Sequence, residues 1–174
     1  MALSTSTLVM FLSSLLIFIS TSNAISPGSI SQICSRSINP RLCFSTLNSN
    51  PRVASSDLKG VGAIVLDISN SKASQTKSII PSLAAKASNP TLKQRYNECL
   101  RDYNEVVVVI AKAKQALGAN DPRTVNIRVS AAQTEIGDCV DSFSSPPRDS
   151  SDLTKRSRDL FDTLSIVLVI SNLL

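Results

Sequence analysis

Cys34, Cys43, Cys99 and Cys139 are the residues whose chemistry constrains this chain most. Four thiols can hold a zinc ion, cycle as a redox pair or close structural disulfides. A zinc site needs four thiolates, or thiolates with histidine, and the sequence contains no histidine at all. No C-x-x-C pair occurs, so a thioredoxin-like redox role has poor support. An even cysteine count in an oxidising compartment points instead to two disulfides.

The missing histidine reaches further. It removes Ser-His-Asp and Cys-His catalysis, together with the usual general base near neutral pH. Paired carboxylates or a lysine are what remain for enzymology. No GxSxG, GxxxxGK[ST] or GxGxxG motif is present, and with five glycines the chain has few phosphate-cradling loops. The expectation is a protein without catalytic residues, metal or cofactor.

The elements that carry the cysteines follow from punctuation and periodicity. Residues 1–24, MALSTSTLVMFLSSLLIFISTSNA, hold no charged side chain and have an apolar centre from Leu8 to Ile19. Ser22-Asn23-Ala24 is a small-x-small ending that suits signal-peptide cleavage. The apolar run is short of the ~20 residues of a membrane span. A mature chain beginning near Ile25 would run to about 150 residues, enough for one core. Two domain-level pieces follow: residues 25–50 as a helical hairpin and residues 51–174 as a helical bundle.

In the hairpin, a short helix is expected over residues 30–37, and Pro40 can open a second at its first turn. A long helix is expected from Ser56 to Ala87. Leu58, Val61, Val65 and Ile68 share one face of it. SNSKASQTKS forms a polar middle, and Pro81 predicts a kink or break. After Asn89-Pro90, positions 92, 96, 99, 103, 106, 110, 113 and 117 step by 4 and 3 without interruption, and Gly118 stands where a left-handed cap would sit. Seven unbroken steps outweigh the strand propensity of Val106–Val109. Asp121-Pro122 opens another helix as N-cap and first-turn proline, with a stripe through Val125, Val129, Ala132, Ile136, Cys139 and Phe143. The tandem prolines of SSPPRDSS break the chain. A last helix starts near Ser151, and its LSIVLVISNLL end is apolar on most sides and so should be well buried. Asn172 and the lack of a polar spacer argue against reading that end as a lipid-anchor signal.

Four long amphipathic helices with short links make an all-α, up-down-up-down four-helix bundle. The hairpin would sit apart or fold across one end. Cys99 and Cys139 fall on the apolar stripes of consecutive helices, which antiparallel packing brings together. Their pairing leaves Cys34 with Cys43 as a staple across the hairpin. The other connectivities would tie the N-terminal pair to the bundle core and suit two cysteines separated by a turn less well. Chain-entropy arithmetic gives the ~40-residue loop about 4 kcal/mol and the ~10-residue loop about 2.7 kcal/mol.

The net charge of +5 is spread along the mature chain as a solvated helical surface. Without tryptophan and with two tyrosines, it lacks the aromatic interleaving of a nucleic-acid binder. It would support loose attraction to an acidic polysaccharide. Once the leader is removed, no membrane association is expected.

The leader, the C-x8-C hairpin and the paired cysteines on successive bundle helices resemble plant invertase and pectin methylesterase inhibitors. NPRLC, SSDLKGVG, NPTLKQRYNECLRDY, NIRVSAAQTEIGDCVDSF and IVLVISNLL carry the likeness along the whole mature chain, and they look most like the pectin methylesterase branch. The resemblance implies a secreted inhibitor in the apoplast and cell wall, not an enzyme. It implies one-to-one docking over the esterase's substrate cleft, with acid invertase as the alternative target and acidic pectin as a weak associate. It also points to polar positions beside the cysteine-bearing stripes as target contacts: Asp102, Glu105, Asn126 and Asp141, then Gln75 and Thr76. Two features depart from the family's pattern. Asp138 stands where relatives often have threonine before the fourth cysteine, and Val106–Val109 replaces a more polar run. If that face meets the target, its contact is more apolar here.

Overall fold

The computed structural model describes residues 24–174; the expected leader, apart from Ala24, lies outside the described residues. Two short helices lead, α1 (Pro27–Arg36) and α2 (Pro40–Asn48), followed by a 3₁₀ turn at Val53–Ser55. Four long helices complete the chain: α3 (Leu58–Lys86), α4 (Pro90–Gly118), α5 (Pro122–Asp141) and α6 (Leu153–Ser171).

Local chemistry sets most helix starts. Ser26, Asn39, Asp57, Asn89 and Asp121 each accept a backbone N–H of the first turn through their side-chain oxygen. Proline follows at the first helical position in α1, α2, α4 and α5, where a missing N–H costs nothing. The first helix therefore begins at Pro27, ahead of the expected residue 30. The left-handed residue after α4 is Asn120, with φ 58°, and not Gly118, which is the last helical residue. Asparagine tolerates that conformation, and here Lys59 Nζ donates to both Asn120 Oδ1 (2.6 Å) and the Gly118 carbonyl (3.1 Å). α3 runs without a break through Pro81, which lies on its exposed side.

The long helices close a ring, with α3 against α4, α4 against α5, α5 against α6 and α6 back against α3. Leucine, isoleucine and valine fill the centre, with Leu66, Ile80, Ile110, Ile136, Leu160 and Leu164 fully buried. In α4 and α5 the apolar stripes read from the sequence are the faces that meet; in α3 Leu58 and Ile68 are only partly buried, and the buried line runs through Val61, Val65, Ser69, Ala73, Thr76 and Ile80. One buried polar layer interrupts them. Tyr103 and Ser157 share a hydrogen between their hydroxyls at 2.8 Å, beside Thr76.

Both disulfides are formed. Cys99–Cys139 joins α4 to α5 with Cα atoms 4.7 Å apart, and Cys34–Cys43 joins α1 to α2 at 5.3 Å. All four cysteines are at most 1% exposed.

The hairpin neither stands apart nor caps an end. It lies along the flank of α6. The Ile38 amide donates to Ser165 Oγ at 3.3 Å, and Asn39 Nδ2 donates to Asp162 Oδ2 at 2.9 Å. This explains the all-round apolar end of the chain. Thr163, Leu164, Ser165, Ile166 and Val167 are consecutive and all buried, which requires cover on every side of the helix.

Candidate functional site

The cysteine bridge fixes α4 and α5 antiparallel at a defined register, and the outer surface of this pair holds the residues of interest. Asp102 sits three residues beyond Cys99, half-buried at the α4–α5 seam. Burial pushes its carboxyl up to about 6, reinforced by Glu135 and Asp138 of α5 and by Glu98, with Arg101 opposing. Glu98 accepts from Gln94 Nε2 at 2.9 Å and lies 4.0 Å from Arg101. Glu105 is exposed, one turn further along α4, and Asp141 is exposed at the end of α5. Asp102 thus belongs to an acidic cluster with Glu98, Glu135 and Asp138, and Glu105 and Asp141 are exposed elsewhere on the same two helices.

The other expected contacts scatter. Asn126 faces α6, where its Nδ2 donates to Ser171 Oγ and Asn172 Oδ1, each at 3.2 Å. It ties the end of α6 to α5. Gln75 is exposed on α3 and donates to Ser71 Oγ at 3.0 Å. Thr76 corrects the expectation for that segment. It is 2% exposed, turned toward Tyr103 in the polar layer, and has no surface to offer a partner. Burial raises the Tyr103 phenol to about 12, with the Ser157 and Thr76 hydroxyls acting against the shift.

The same two helices also carry two exposed apolar side chains. Val108 on α4 is 42% exposed and Ile127 on α5 is 55% exposed, while Val106 and Val109 turn into the core. Ile127 was not singled out from the sequence. Its signal was phase: it falls two residues after Val125, off the buried 4-and-3 stripe, where a polar residue is usual.

Opposite this face, Lys72 is half-buried between α3 and α6 and donates to Thr163 Oγ1 at 2.9 Å. Loss of solvent lowers its ammonium, and Asp159 and Asp162 act against that. At the bundle end, Asp149 accepts from Tyr96, Ser151 and Thr154. Burial pulls its carboxyl up, but these hydrogen bonds prevail and hold it below the usual range. Among the described residues, no group of three or more His, Cys, Asp or Glu could hold a metal ion. No helix among them is long and apolar enough to cross a membrane. The arrangement offers a rigid, exposed helix pair with a mixed acidic and apolar surface.

Known proteins share this fold. The family model for plant invertase/pectin methylesterase inhibitors matches residues 28–170. A pectinesterase inhibitor of Actinidia deliciosa is 45% identical over 145 residues, covering 83% of this chain and 78% of the relative. A putative invertase inhibitor of Platanus orientalis is 28% identical over 163 residues, covering 92% and 96%. The crystal structure of a mutant form of a pectin methylesterase inhibitor from Arabidopsis superposes with a TM-score of 0.77 at 28% identity, over 83% of this chain and 96% of that one. With a match across nearly every described residue and the same bundle in a solved relative, the chain belongs to the plant invertase/pectin methylesterase inhibitor family, and it is an enzyme inhibitor rather than an enzyme.

Proposed function

We propose that this chain is a secreted inhibitor of pectin methylesterase that acts in the cell wall. The observation that carries the choice of target is the 45% identity to a pectinesterase inhibitor, against 28% to a putative invertase inhibitor. The inhibitor docks one-to-one and lays the outer surface of α4 and α5 across the esterase's substrate cleft, keeping pectin out. Asp102, Glu105 and Asp141 make its polar contacts, and Val108 and Ile127 supply apolar area beyond Glu105 along the same helix pair. The hairpin of residues 25–50 and the bundle of residues 51–174 bind as one body. A bridged helix pair has little conformational freedom to lose on docking, so more of the contact energy appears as affinity. Asn126 and Gln75 lie outside this patch and contribute at its margin or not at all. The net positive charge adds weak retention on acidic pectin.

The test is direct. Purified protein is titrated into a pectin methylesterase assay and, separately, into an acid invertase assay across about pH 5 to 7. Saturable inhibition of the esterase at one equivalent supports the proposal. Inhibition of invertase alone transfers the same scaffold to the other target.

A further inference from the structure

The Ile25 backbone nitrogen donates to the Ser56 carbonyl at 2.7 Å. That bond joins the residue just before the N-cap of α1 to the turn that leads into α3. Ile25 is only partly exposed and packs against the core cluster, whereas Ala24 is exposed. The residue lies in a groove of about 320 Å³ where three elements meet: Ser29 and Gln32 of α1, Leu58 of α3, and Leu173 beyond α6. Residue 25 thus shares a groove with the hairpin, the first bundle helix and the residue beyond the last one.

We propose that, when the expected leader is removed at the Ala24–Ile25 bond, the α-ammonium left on Ile25 is a structural group seated on the Ser56 carbonyl. Ser22-Asn23-Ala24 supplies the small residues a leader-cleaving peptidase selects, and the bond lies outside any helix. Hydrolysis breaks the C–N bond. The hydroxyl of water goes to the Ala24 carbonyl carbon and its hydrogen to the Ile25 nitrogen, which takes a further proton from solvent. The ammonium keeps the donor that already reaches Ser56 and adds charge to that hydrogen bond, which strengthens it. Its other two hydrogens face the solvent side vacated by Ala24. The N-terminal dipole of α1 opposes the charge, and Asp57, next to Ser56, favours it. The result is a latch between hairpin and bundle that carries a charge only in the processed chain.

This inference rests on the reading of the chain as secreted, and the experiment has two arms. The full chain is expressed in a secreting plant cell and the intact mass of the product is read. A product beginning at Ile25 is expected; a retained leader, or another first residue, overturns the junction. In the second arm, a Gly-Ser pair is inserted between Ala24 and Ile25, so that the secreted product carries a peptide bond at residue 25. Its Tm is expected to fall by ~2 °C or more, in the range of a modest local loss for a chain of this size, with esterase inhibition unchanged. A Tm equal to that of the Ile25 product overturns the seat while leaving secretion intact.

Discussion

Tyr96 donates its phenolic hydrogen to Asp149 Oδ1 at 2.7 Å, binding the first turns of α4 to the loop that starts α6. The same carboxylate accepts the amides of Ser151 and Thr154, and so does the work of a helix cap from three residues upstream of Asp152. Asp149→Ala strands several donors at once and is expected to cost ~2–3 kcal/mol in urea unfolding, with the slope unchanged. Tyr96→Phe removes one bond and is expected to cost ~1 kcal/mol. The Asp149 carboxyl is held below its ordinary value of 3.8, so its contribution is complete above that value and lost as pH falls through the lower folded one. A Tyr96→Phe protein that unfolds at the parent's midpoint would show that the bond carries no weight.

The two staples should separate in reducing agent. All four sulfurs are buried, so a thiolate reaches them only through opening of the fold. The hairpin bridge lies in a unit packed on the outside of the bundle, chiefly against α6, and it should reduce first. Cys34→Ser with Cys43→Ser is expected to lose ~2.7 kcal/mol or less, and the pair at Cys99 and Cys139 ~4 kcal/mol. Alkylation followed by peptide mapping during timed reduction gives the order. Simultaneous reduction would mean that the hairpin opens only with the whole molecule.

Asp102 ties stability to pH with a definite sign. Its folded value of about 6 exceeds the ordinary 3.8, so the folded chain holds this proton more tightly than the unfolded one. Its contribution is most favourable below about pH 4, falls between about pH 4 and 6, and is flat above. Asp102→Asn should therefore raise Tm at pH 7 and leave it nearly unchanged at pH 4. If Asp102 meets the esterase, the same variant should also flatten the change in inhibition between about pH 5 and 7. An inhibition profile that keeps its shape would assign that dependence to the enzyme.

Charge reversal at the surface separates contact from scaffold. Glu105→Lys alters an exposed side chain and should weaken esterase inhibition by ~10-fold or more with Tm unmoved. Ile127→Ala should also weaken inhibition, since the side chain is 55% exposed and contributes little to the core. Asn126→Ala should do the reverse, lowering Tm through the end of α6 and sparing inhibition. Equal potency of Glu105→Lys and the parent would exclude this face as the contact.

The bundle was legible because its stripes are long, and seven steps from Leu92 to Leu117 leave little freedom of phase. The cysteine pairing followed from two such stripes meeting. The position of the hairpin was not legible, because it depends on contacts such as Ile38 to Ser165, 127 residues apart, that no local pattern encodes. Thr76 misled by chemistry. A hydroxyl reads as surface, yet Val65, Ser69, Ala73, Thr76 and Ile80 step by 4, 4, 3 and 4 and are all buried, so spacing was the better guide than polarity. Gly118 follows the last step of its stripe and suits a left-handed cap by type, yet the turn uses Asn120, whose side chain Lys59 reaches.

The flank-lying hairpin has a consequence for handling and for fate in the cell. The oily last turns of α6 are clad by the bundle on one side and by two short helices on the other. Strip that cladding, by truncation or by cutting near residue 50, and a strip of hydrocarbon is bared to water on an otherwise finished bundle. Such fragments should be sticky and short-lived rather than merely smaller, which makes the first helices a garment the protein wears to stay dissolved.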